Sequence, residues 1–296
     1  MNETRIHPTA CVDPKARLEP GVTVGAHTTI GPEVELGAAC VVHNNVSIHG
    51  RTRCGARNVF FPGAVIGESP QDLKYRGGPT CIEIGDDNAF REHVTVHPGT
   101  EIGGGVTRIG SHNRFLVGAH IGHDVQIGDG CILSNYVQLA GHVQVCDRVT
   151  IGGIVGIHNF TTIGTLAYIG GLSRIRADVP PFMIVEGYPA RVRGFNETGM
   201  HRWGFNEEQI AAVREAYRAL FSPRAEATGI PLLERLDRLQ QRDDLNGHVR
   251  HLCESLRRSL CDGVFGRQLE SRRRDTDEDR KAFYRSLSSS DLESTP

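Results

Sequence analysis

Residues 109–139 read IGSHNRFLVGAHIGHDVQIGDGCILSNYVQL. A large apolar residue returns at every sixth position of this stretch, at Ile109, Phe115, Ile121, Ile127, Leu133 and Leu139. A period of six is neither the period of a helix, about 3.6 residues, nor the simple alternation of an isolated strand. It is typical of a short strand followed by a corner, with three such sides in each coil of about 18 residues. The stretch therefore predicts a parallel β-helix with its apolar residues pointing inward.

The same period extends outward in both directions, from Ile6 to Ile175. Two segments interrupt it, residues 68–80 and residues 98–108. Insertions in a solenoid emerge as loops on one face, which is often the binding face. The second segment contains three consecutive glycines at 103–105 but lacks the strand and helix that flank a phosphate-binding loop, so we expect a flexible loop there. Glycine or Asn/Asp is expected to relieve the backbone at the corners.

The chain divides into three parts. We expect a parallel β-helix over residues 5–180, ended by Pro180-Pro181 because paired prolines cannot extend a ladder. A small α-helical domain is predicted over 181–265, with Asn206 and Gln209 forming a capping box ahead of an apolar stripe. Residues 271–296 are rich in Arg, Asp, Glu and Ser and are predicted to be disordered.

Composition excludes several classes of protein. The formal net charge of −2 leaves no basic excess for general nucleic-acid binding. No stretch approaches the roughly 18 apolar residues of a membrane span, and the N-terminus carries no apolar run typical of a signal peptide. The eight cysteines are scattered without a Cys-x-x-Cys pair, so we expect no disulfide framework, no zinc knuckle and a cytoplasmic location.

Several of the fourteen histidines fall in register on the predicted coil. Adding 18 to His123 gives Gly141, and adding 18 to Asp124 gives His142, so each pair should lie one above the other at the strand spacing of roughly 4.8 Å. A neutral imidazole suits general-base chemistry near neutral pH, and a neighbouring carboxylate can hold its tautomer. The Gly141 N–H, unshielded by a Cβ, is a candidate oxyanion donor. Taken singly, such histidines are more often surface or interface residues.

Six short runs identify a family: 119–124 (AHIGHD), 139–143 (LAGHV), 151–153 (IGG), 157–158 (IH), 71–75 (QDLKY) and 178–181 (DVPP). Through these runs, and over about residues 5 to 260, the chain resembles the acyl-carrier-protein-dependent UDP-N-acetylglucosamine O-acyltransferase family of lipid A synthesis. The resemblance implies that the β-helix is left-handed and that the protein is a homotrimer with its sites between subunits. The substrates implied are a 3-hydroxyacyl chain on acyl carrier protein and the 3-position of UDP-N-acetylglucosamine, with no cofactor and no metal.

The resemblance also implies residue roles. His123 would be the general base, Asp124 its support and Gly141 the oxyanion donor. The residues implied in substrate binding are Asp72, Lys74, His97, His120, His142, His158, Asn159, Asn196 and Arg202. Gly171 stands at the position associated with acyl-chain length. Four features depart from the family pattern and bear on nucleotide binding: Asn159, Thr198, Trp203 and residues 187–190 (GYPA).

Three other functions stay open at this point. A zinc carbonic anhydrase on the same scaffold would use histidines at a subunit interface, but it would leave Gln71 to Tyr75 without a role. A hexapeptide-repeat binding protein would have lost the chemistry and kept the coil. A sibling acyltransferase would acylate a 3-amino UDP-sugar, giving an amide in place of an ester.

Overall fold

The computed structural model describes residues 3–274, and most of them form a three-sided parallel β-helix. Strands numbered in chain order fall into three sheets. The first sheet contains β1 (Arg5–Ile6), β4 (Thr23–Val24), β7 (Val41–Val42), β10 (Val59–Phe60), β13 (Ala89–Phe90), β16 (Arg114–Phe115), β19 (Ile132–Leu133), β22 (Thr150–Ile151), β25 (Tyr168–Ile169), β27 (Met183–Gly187) and β28 (Ala190–Phe195). The second contains β2 (Cys11–Val12), β5 (Thr29–Ile30), β8 (Ser47–Ile48), β11 (Val65–Ile66), β14 (Thr95–Val96), β17 (His120–Ile121), β20 (Gln138–Leu139), β23 (Gly156–Ile157) and β26 (Arg174–Ile175). The third contains β3 (Arg17–Leu18), β6 (Glu35–Leu36), β9 (Arg51–Cys54), β12 (Cys81–Ile84), β15 (Val106–Ile109), β18 (Gln126–Ile127), β21 (Gln144–Val145) and β24 (Thr162–Ile163).

The core is a column of the predicted six-residue positions. The registers Ile121 to Leu139 and Leu139 to Ile157 confirm the 18-residue coil. Phe60, Phe90 and Phe115 stack through three successive coils at ring-centroid distances of 4.9 Å, and each is fully buried. Ile6, at the open end of the first coil, is an exception and is 47 % exposed because no coil covers it.

Glycine and Asn/Asp adopt the left-handed backbone at several corners, as predicted, for example Gly118 (φ 67°) and Asp124 (φ 59°). Gly67 (φ 88°), where the first insertion leaves the coil, is an exception among the glycines that directly follow the apolar residue, because in the regular coils that glycine does not adopt this conformation. The glycine is required for a different reason, which is the close approach of the next coil. A Cβ on Gly25 would lie 2.6 Å from the backbone N of Asn44, closer than real contacts allow.

Both insertions leave the coil at the corner between the second and third sheets. The first lies between β11 and β12 and the second between β14 and β15. The same corner carries His123 and Asp124 after β17, and His142 after β20. The insertions therefore cover the candidate catalytic residues.

Within residues 3–274, two strands and five α-helices follow the coil. β27 continues the first sheet alongside β25 and turns back as β28, so the ladder extends past Pro180-Pro181 and strands precede the predicted helices. The helices are α1 (Glu197–Arg202), α2 (Glu207–Phe221), α3 (Pro223–Ala227), α4 (Leu232–Gln240) and α5 (Gly247–Arg257). Asn206 and Gln209 form the predicted capping box of α2. None of the helices within residues 3–274 is long and apolar enough to cross a membrane.

The helices enclose a second apolar core against the top of the coil. It is built from residues of both parts, namely Leu166, Phe182, Met183, Met200, Ile210, Val213, Ala216, Leu220, Phe221, Leu236, Leu239, Val249, Leu252, Cys253 and Leu256. After α5 the chain forms a π-helical turn (Arg258–Asp262) and a 3₁₀ turn (Glu270–Arg272). The disorder predicted from 271 is therefore wrong for residues 271–274, and residues 275–296 lie outside the described part of the chain.

Candidate functional site

A cleft of about 640 Å³ opens at the corner between the second and third sheets. It brings together seven of the residues singled out in the sequence: Asp72, Lys74, His123, Asp124, Gly141, His142 and Asn159. These residues come from the first insertion and from three successive coils, so the cleft runs along the axis of the β-helix.

His123 and Asp124 form a hydrogen-bonded pair at the centre of the cleft. The His123 Nδ1 lies 2.9 Å from the Asp124 Oδ2. A carboxylate only accepts, so the proton is assigned to Nδ1 and the lone pair to Nε2. The His123 side chain is 16 % exposed, and its Nε2 lies 3.8 Å from the Asp72 Oδ2. A neutral imidazole with a free lone pair beside a cleft can act as a general base.

Asp124 is held as a carboxylate by its hydrogen bonds. Burial alone would raise its pKa, but hydrogen bonds from His123 and Thr100 outweigh burial and hold the pKa of Asp124 below its usual range. Thr100 donates from its backbone N at 3.0 Å and from its hydroxyl at 2.7 Å. A carboxylate charged at neutral pH stabilises an imidazolium formed on His123.

The glycine-containing insertion packs tightly over Asp124, which differs from the flexible loop we expected. A Cβ on Gly103 would lie 2.1 Å from the Asp124 carboxylate. The Thr107 hydroxyl accepts from the Asp124 backbone N at 2.9 Å. The insertion therefore shields Asp124 from water, leaving that residue 5 % exposed.

Gly141 lies directly over the imidazole of His123, as the 18-residue arithmetic predicted. A Cβ at Gly141 would lie 2.3 Å from both Cε1 and Nε2 of His123, so any side chain there would displace the ring. Among residues 3–274 no group accepts a hydrogen bond from the Gly141 N–H. An unused N–H beside a general base is suited to a developing oxyanion.

His142 lies one coil above Asp124 and is electrically neutral. Its Nε2 is 3.9 Å from the Asp124 Oδ2, and its ring stacks on Phe160 with centroids 4.3 Å apart. Burial lowers the pKa of His142 to about 4, against a smaller opposing effect of Asp124. At neutral pH it can therefore donate or accept one hydrogen bond without adding charge to the cleft.

The first insertion supplies an ion pair on the opposite wall. The Lys74 Nζ lies 3.5 Å from the Asp72 Oδ1, with side chains 17 % and 10 % exposed. The Asp72 carboxylate also accepts from the Lys74 backbone N at 3.1 Å, which closes a turn. The pair presents both a donor and an acceptor to a polar ligand within a few ångströms of His123.

His97 and His120 lie behind this wall and do not line the cleft formed by residues 3–274. Their rings contact each other at 5.3 Å, and His97 Nδ1 lies 2.9 Å from the Ser69 carbonyl oxygen. Burial, followed by the neighbouring His97, lowers the pKa of His120 to about 4. His97 is 6 % exposed, so in a single chain it supports the first insertion.

Four other candidates also lie outside the cleft of their own chain. His158 follows β23, and its Nδ1 lies 3.1 Å from the Asn159 carbonyl oxygen. Asn196 is buried and caps α1, accepting from Gly199 N at 2.9 Å while donating to Leu166 O at 2.9 Å. Arg202 is exposed at the end of α1, and Gly171 is exposed at the corner between the first and second sheets. Arg202 and Gly171 are not among the residues that line the cleft within residues 3–274.

Two contributions to the cleft were not predicted from the sequence. Thr100 holds Asp124, and a C-terminal segment that includes Leu269 and Arg272 to Arg274 forms part of the wall. Phe160 stacks on His142, as the count of 18 residues predicts. Thr100 lies in an insertion, where the period gives no register.

The donor atoms of His123, Asp124 and His142 lie within 4.8 Å of one another, close enough to hold a metal ion. The Nδ1 of His123 and the Oδ2 of Asp124 are, however, bonded to each other at 2.9 Å. The Asp124 Oδ2 also accepts from the Thr100 hydroxyl at 2.7 Å. This arrangement favours an acid–base pair over a set of metal ligands.

Comparison with known proteins gives two family matches. Residues 178–264 match the second domain of UDP-N-acetylglucosamine O-acyltransferase, and residues 106–141 match the bacterial transferase hexapeptide repeat. Among solved structures, LpxA from Acinetobacter baumannii is 39% identical with a TM-score of 0.78, covering 84% of this chain and 95% of that one. UDP-N-acetylglucosamine O-acyltransferase (LpxA) from Moraxella catarrhalis is 38% identical with a TM-score of 0.78 and the same coverage. LpxA from Bacteroides fragilis is 32% identical with a TM-score of 0.80, covering 85% and 96%.

These matches extend over the coil and the helical domain together. The hexapeptide match and the solved structures identify the coil as the left-handed parallel β-helix of this group of acyltransferases. With 39% identity over 84% of its length, the chain belongs to the UDP-N-acetylglucosamine O-acyltransferase family.

Proposed function

We propose that this chain transfers a 3-hydroxyacyl group from acyl carrier protein to the 3-hydroxyl of UDP-N-acetylglucosamine, the first step of lipid A synthesis. The observation that carries the proposal is the His123–Asp124 pair at 2.9 Å, with Nε2 directed at the cleft beneath Gly141. A base, its orienting carboxylate and an unused N–H are the groups that acyl transfer requires. Family membership supports the choice of acceptor.

His123 moves one proton in each direction during the reaction. Its Nε2 takes the proton of the sugar hydroxyl as the oxygen attacks the thioester carbonyl. The tetrahedral intermediate then breaks its carbon–sulfur bond, and the imidazolium returns the proton to the leaving thiolate. Asp124 stabilises the imidazolium between these steps through its bond to Nδ1.

The remaining groups hold charge and substrate. The N–H of Gly141 binds the oxyanion of the intermediate, which lies next to the base because Gly141 lies over the His123 ring. Asp72 and Lys74 bind the acceptor sugar and the donor from the opposite wall. His142, neutral at working pH, binds substrate through its ring nitrogens.

We further propose that the complete site forms between subunits of a homotrimer. Four of the candidate residues lie outside the cleft of their own chain: His158, Asn196, Arg202 and Gly171. A neighbouring subunit would supply them, to bind the nucleotide and to limit the length of the acyl chain. Arg202, exposed on α1, would contact a phosphate through its guanidinium. A cytoplasmic location fits the eight cysteines, all of which are free.

The experiment is an acyl-transfer assay with 3-hydroxyacyl-acyl carrier protein and labelled UDP-N-acetylglucosamine, with the 3-amino analogue of the sugar in parallel. We expect an alkali-labile ester with the natural sugar. Transfer to the amino sugar alone would identify an amide-forming enzyme and contradict the proposal. If neither acceptor is acylated, acyl transfer to this sugar nucleotide is ruled out.

A further inference from the structure

The C-terminal segment Val264–Arg274, which we call the arginine arm, folds back onto the coil. Gln268 N donates to the Asp178 Oδ2 at 2.8 Å, and Asp178 N donates to the Gly266 carbonyl at 2.8 Å. Arg267 donates from Nη1 to the Arg176 carbonyl at 2.8 Å. The family match ends at residue 264, so all of the arm after its first residue lies beyond the matched domain.

Buried ion pairs fix the arm in place. Arg267 and Glu270 are paired at 3.1 Å with side chains only 7 % and 9 % exposed. Glu270 also pairs with Arg273 at 3.1 Å. Charges so deeply buried are tolerated only when they are paired, so this cluster requires the folded arrangement of the arm.

The arm runs along the same corner that carries the catalytic pair. Asp124, His142, Phe160 and Asp178 occupy equivalent corner positions, each 18 residues after the last. The arm is anchored at Asp178, and the Arg273 guanidinium lies 5.6 Å over the Phe160 ring. Its end, Leu269 with Arg272 to Arg274, lines the cleft that contains His123.

Among the described residues that line the cleft, the cations Lys74 and Arg272 to Arg274 outnumber the carboxylates Asp72 and Asp124, and the arm supplies most of these cations. The two carboxylates in the cleft wall have cationic or hydrogen-bonding partners, Lys74 for Asp72 and His123 for Asp124. Arg273 balances Glu270, whereas the exposed Arg272 and Arg274 add positive charge at the opening. Planar guanidinium groups bind phosphate oxygens in bidentate geometry, so a phosphate group is the ligand this surface suits.

The distance between the His123 imidazole and the arginine arm indicates which substrate carries that phosphate. Phe160 lies two coils, or about 9.6 Å, above the level of the catalytic pair. The Arg273 guanidinium lies a further 5.6 Å from the Phe160 ring, so the arm lies roughly 15 Å from the base. A pantetheine chain from phosphate to sulfur is as long as about four extended residues, or roughly 14 Å. The diphosphate of a sugar nucleotide is joined to the sugar itself and stays much nearer the reacting hydroxyl.

We propose that the arginine arm binds the phosphate at the base of the donor's pantetheine chain and so places the thioester at His123. The inference rests on the proposed function, because it takes the donor to be a carrier-bound thioester. It assigns Arg272 and Arg274 to donor binding, a role separate from the proton transfer.

The test compares Arg272→Gln/Arg274→Gln with the wild type and with a control pair, Arg218→Gln/Arg224→Gln. All four arginines are exposed, and the control pair lies on α2 and α3, away from the cleft-lining residues. We expect the arm variant to raise the KM for acyl carrier protein at least about tenfold, a change of about 1.4 kcal/mol. The kcat and the KM for the sugar nucleotide should stay within twofold, and high salt should abolish the difference.

A binding measurement separates a failure of the arm's proposed role from a failure of the proposed function. Calorimetry would compare acyl-pantetheine with and without its phosphate, on wild type and arm variant. We expect only the wild type to prefer the phosphorylated form. An unchanged donor KM, or a raised KM for the nucleotide alone, would overturn the inference while leaving the proposed function standing. If the wild-type protein prefers the phosphorylated ligand but transfers no acyl group, the proposed function is contradicted instead.

Discussion

Substituting Gly141 by alanine tests the geometry around the base most sharply. The added Cβ would lie 2.3 Å from Cε1 and Nε2 of His123, where ordinary contacts begin at 3.4 Å. The imidazole must therefore move by about 1 Å, and a displacement of that size at a reacting group can cost about 10²-fold in rate. We expect kcat to fall at least about 10²-fold, equivalent to about 2.7 kcal/mol of transition-state stabilisation.

The assay is steady-state acyl transfer on wild type, Gly141→Ala and a control, Gly247→Ala. Gly247 begins α5, and a Cβ there meets nothing within 4 Å. The control should keep full activity, and both variants should unfold within a few degrees of the wild type. Activity of Gly141→Ala within twofold of wild type would refute the claim that this glycine positions His123.

Three further predictions concern single residues. Asp124→Asn should lower kcat by about 10² to 10⁴-fold with the fold retained, because the uncharged amide no longer stabilises the imidazolium and its NH₂ group cannot accept from the Thr100 backbone N as the carboxylate does. Phe90→Ala should lower the free energy of unfolding by about 3–5 kcal/mol in denaturant titration, since it empties the middle of the phenylalanine stack. The pKa of His142, lowered by burial to about 4, predicts that stability is lost as pH falls from 6.5 towards 4, because the unfolded chain then binds a proton that the folded chain does not. His142→Gln should flatten that loss by about 3 kcal/mol.

A specific result would contradict each of the three predictions. Wild-type kcat in Asp124→Asn would mean that His123 needs no charged partner. A loss below about 1 kcal/mol in Phe90→Ala would show that the coil collapses around the gap. An unchanged pH dependence of unfolding in His142→Gln would show that His142 is not held neutral by burial. Asp178, whose pKa burial raises to about 6, acts with the opposite sign and is present in both proteins.

The repeat could be predicted from the sequence because each coil repeats the one below. Counting 18 residues correctly placed Gly141 over His123 and Asp124 under His142. The same count reaches Phe160 and Asp178, which explains why the corner forms a continuous column. In a solenoid, one register fixes the relative heights of all side chains on a face.

The segments outside the repeat could not be predicted in the same way. Thr100 reaches Asp124 from an insertion whose path depends on tertiary contacts. Arg272 to Arg274 have the composition of a solvated tail, yet they follow the buried Arg267–Glu270 pair and line the cleft. Composition reports average solvation and carries no information about a specific buried pair. His97 was expected in the cleft and instead packs behind the first insertion.

The most direct test of the central claim is the transfer rate of His123→Ala beside the wild type, with saturating donor and UDP-N-acetylglucosamine. If His123 is the general base, kcat should fall by about 10² to 10⁴-fold while the KM values change little. Equal rates in the two proteins would contradict the account, because the proton of the sugar hydroxyl would then leave by another route.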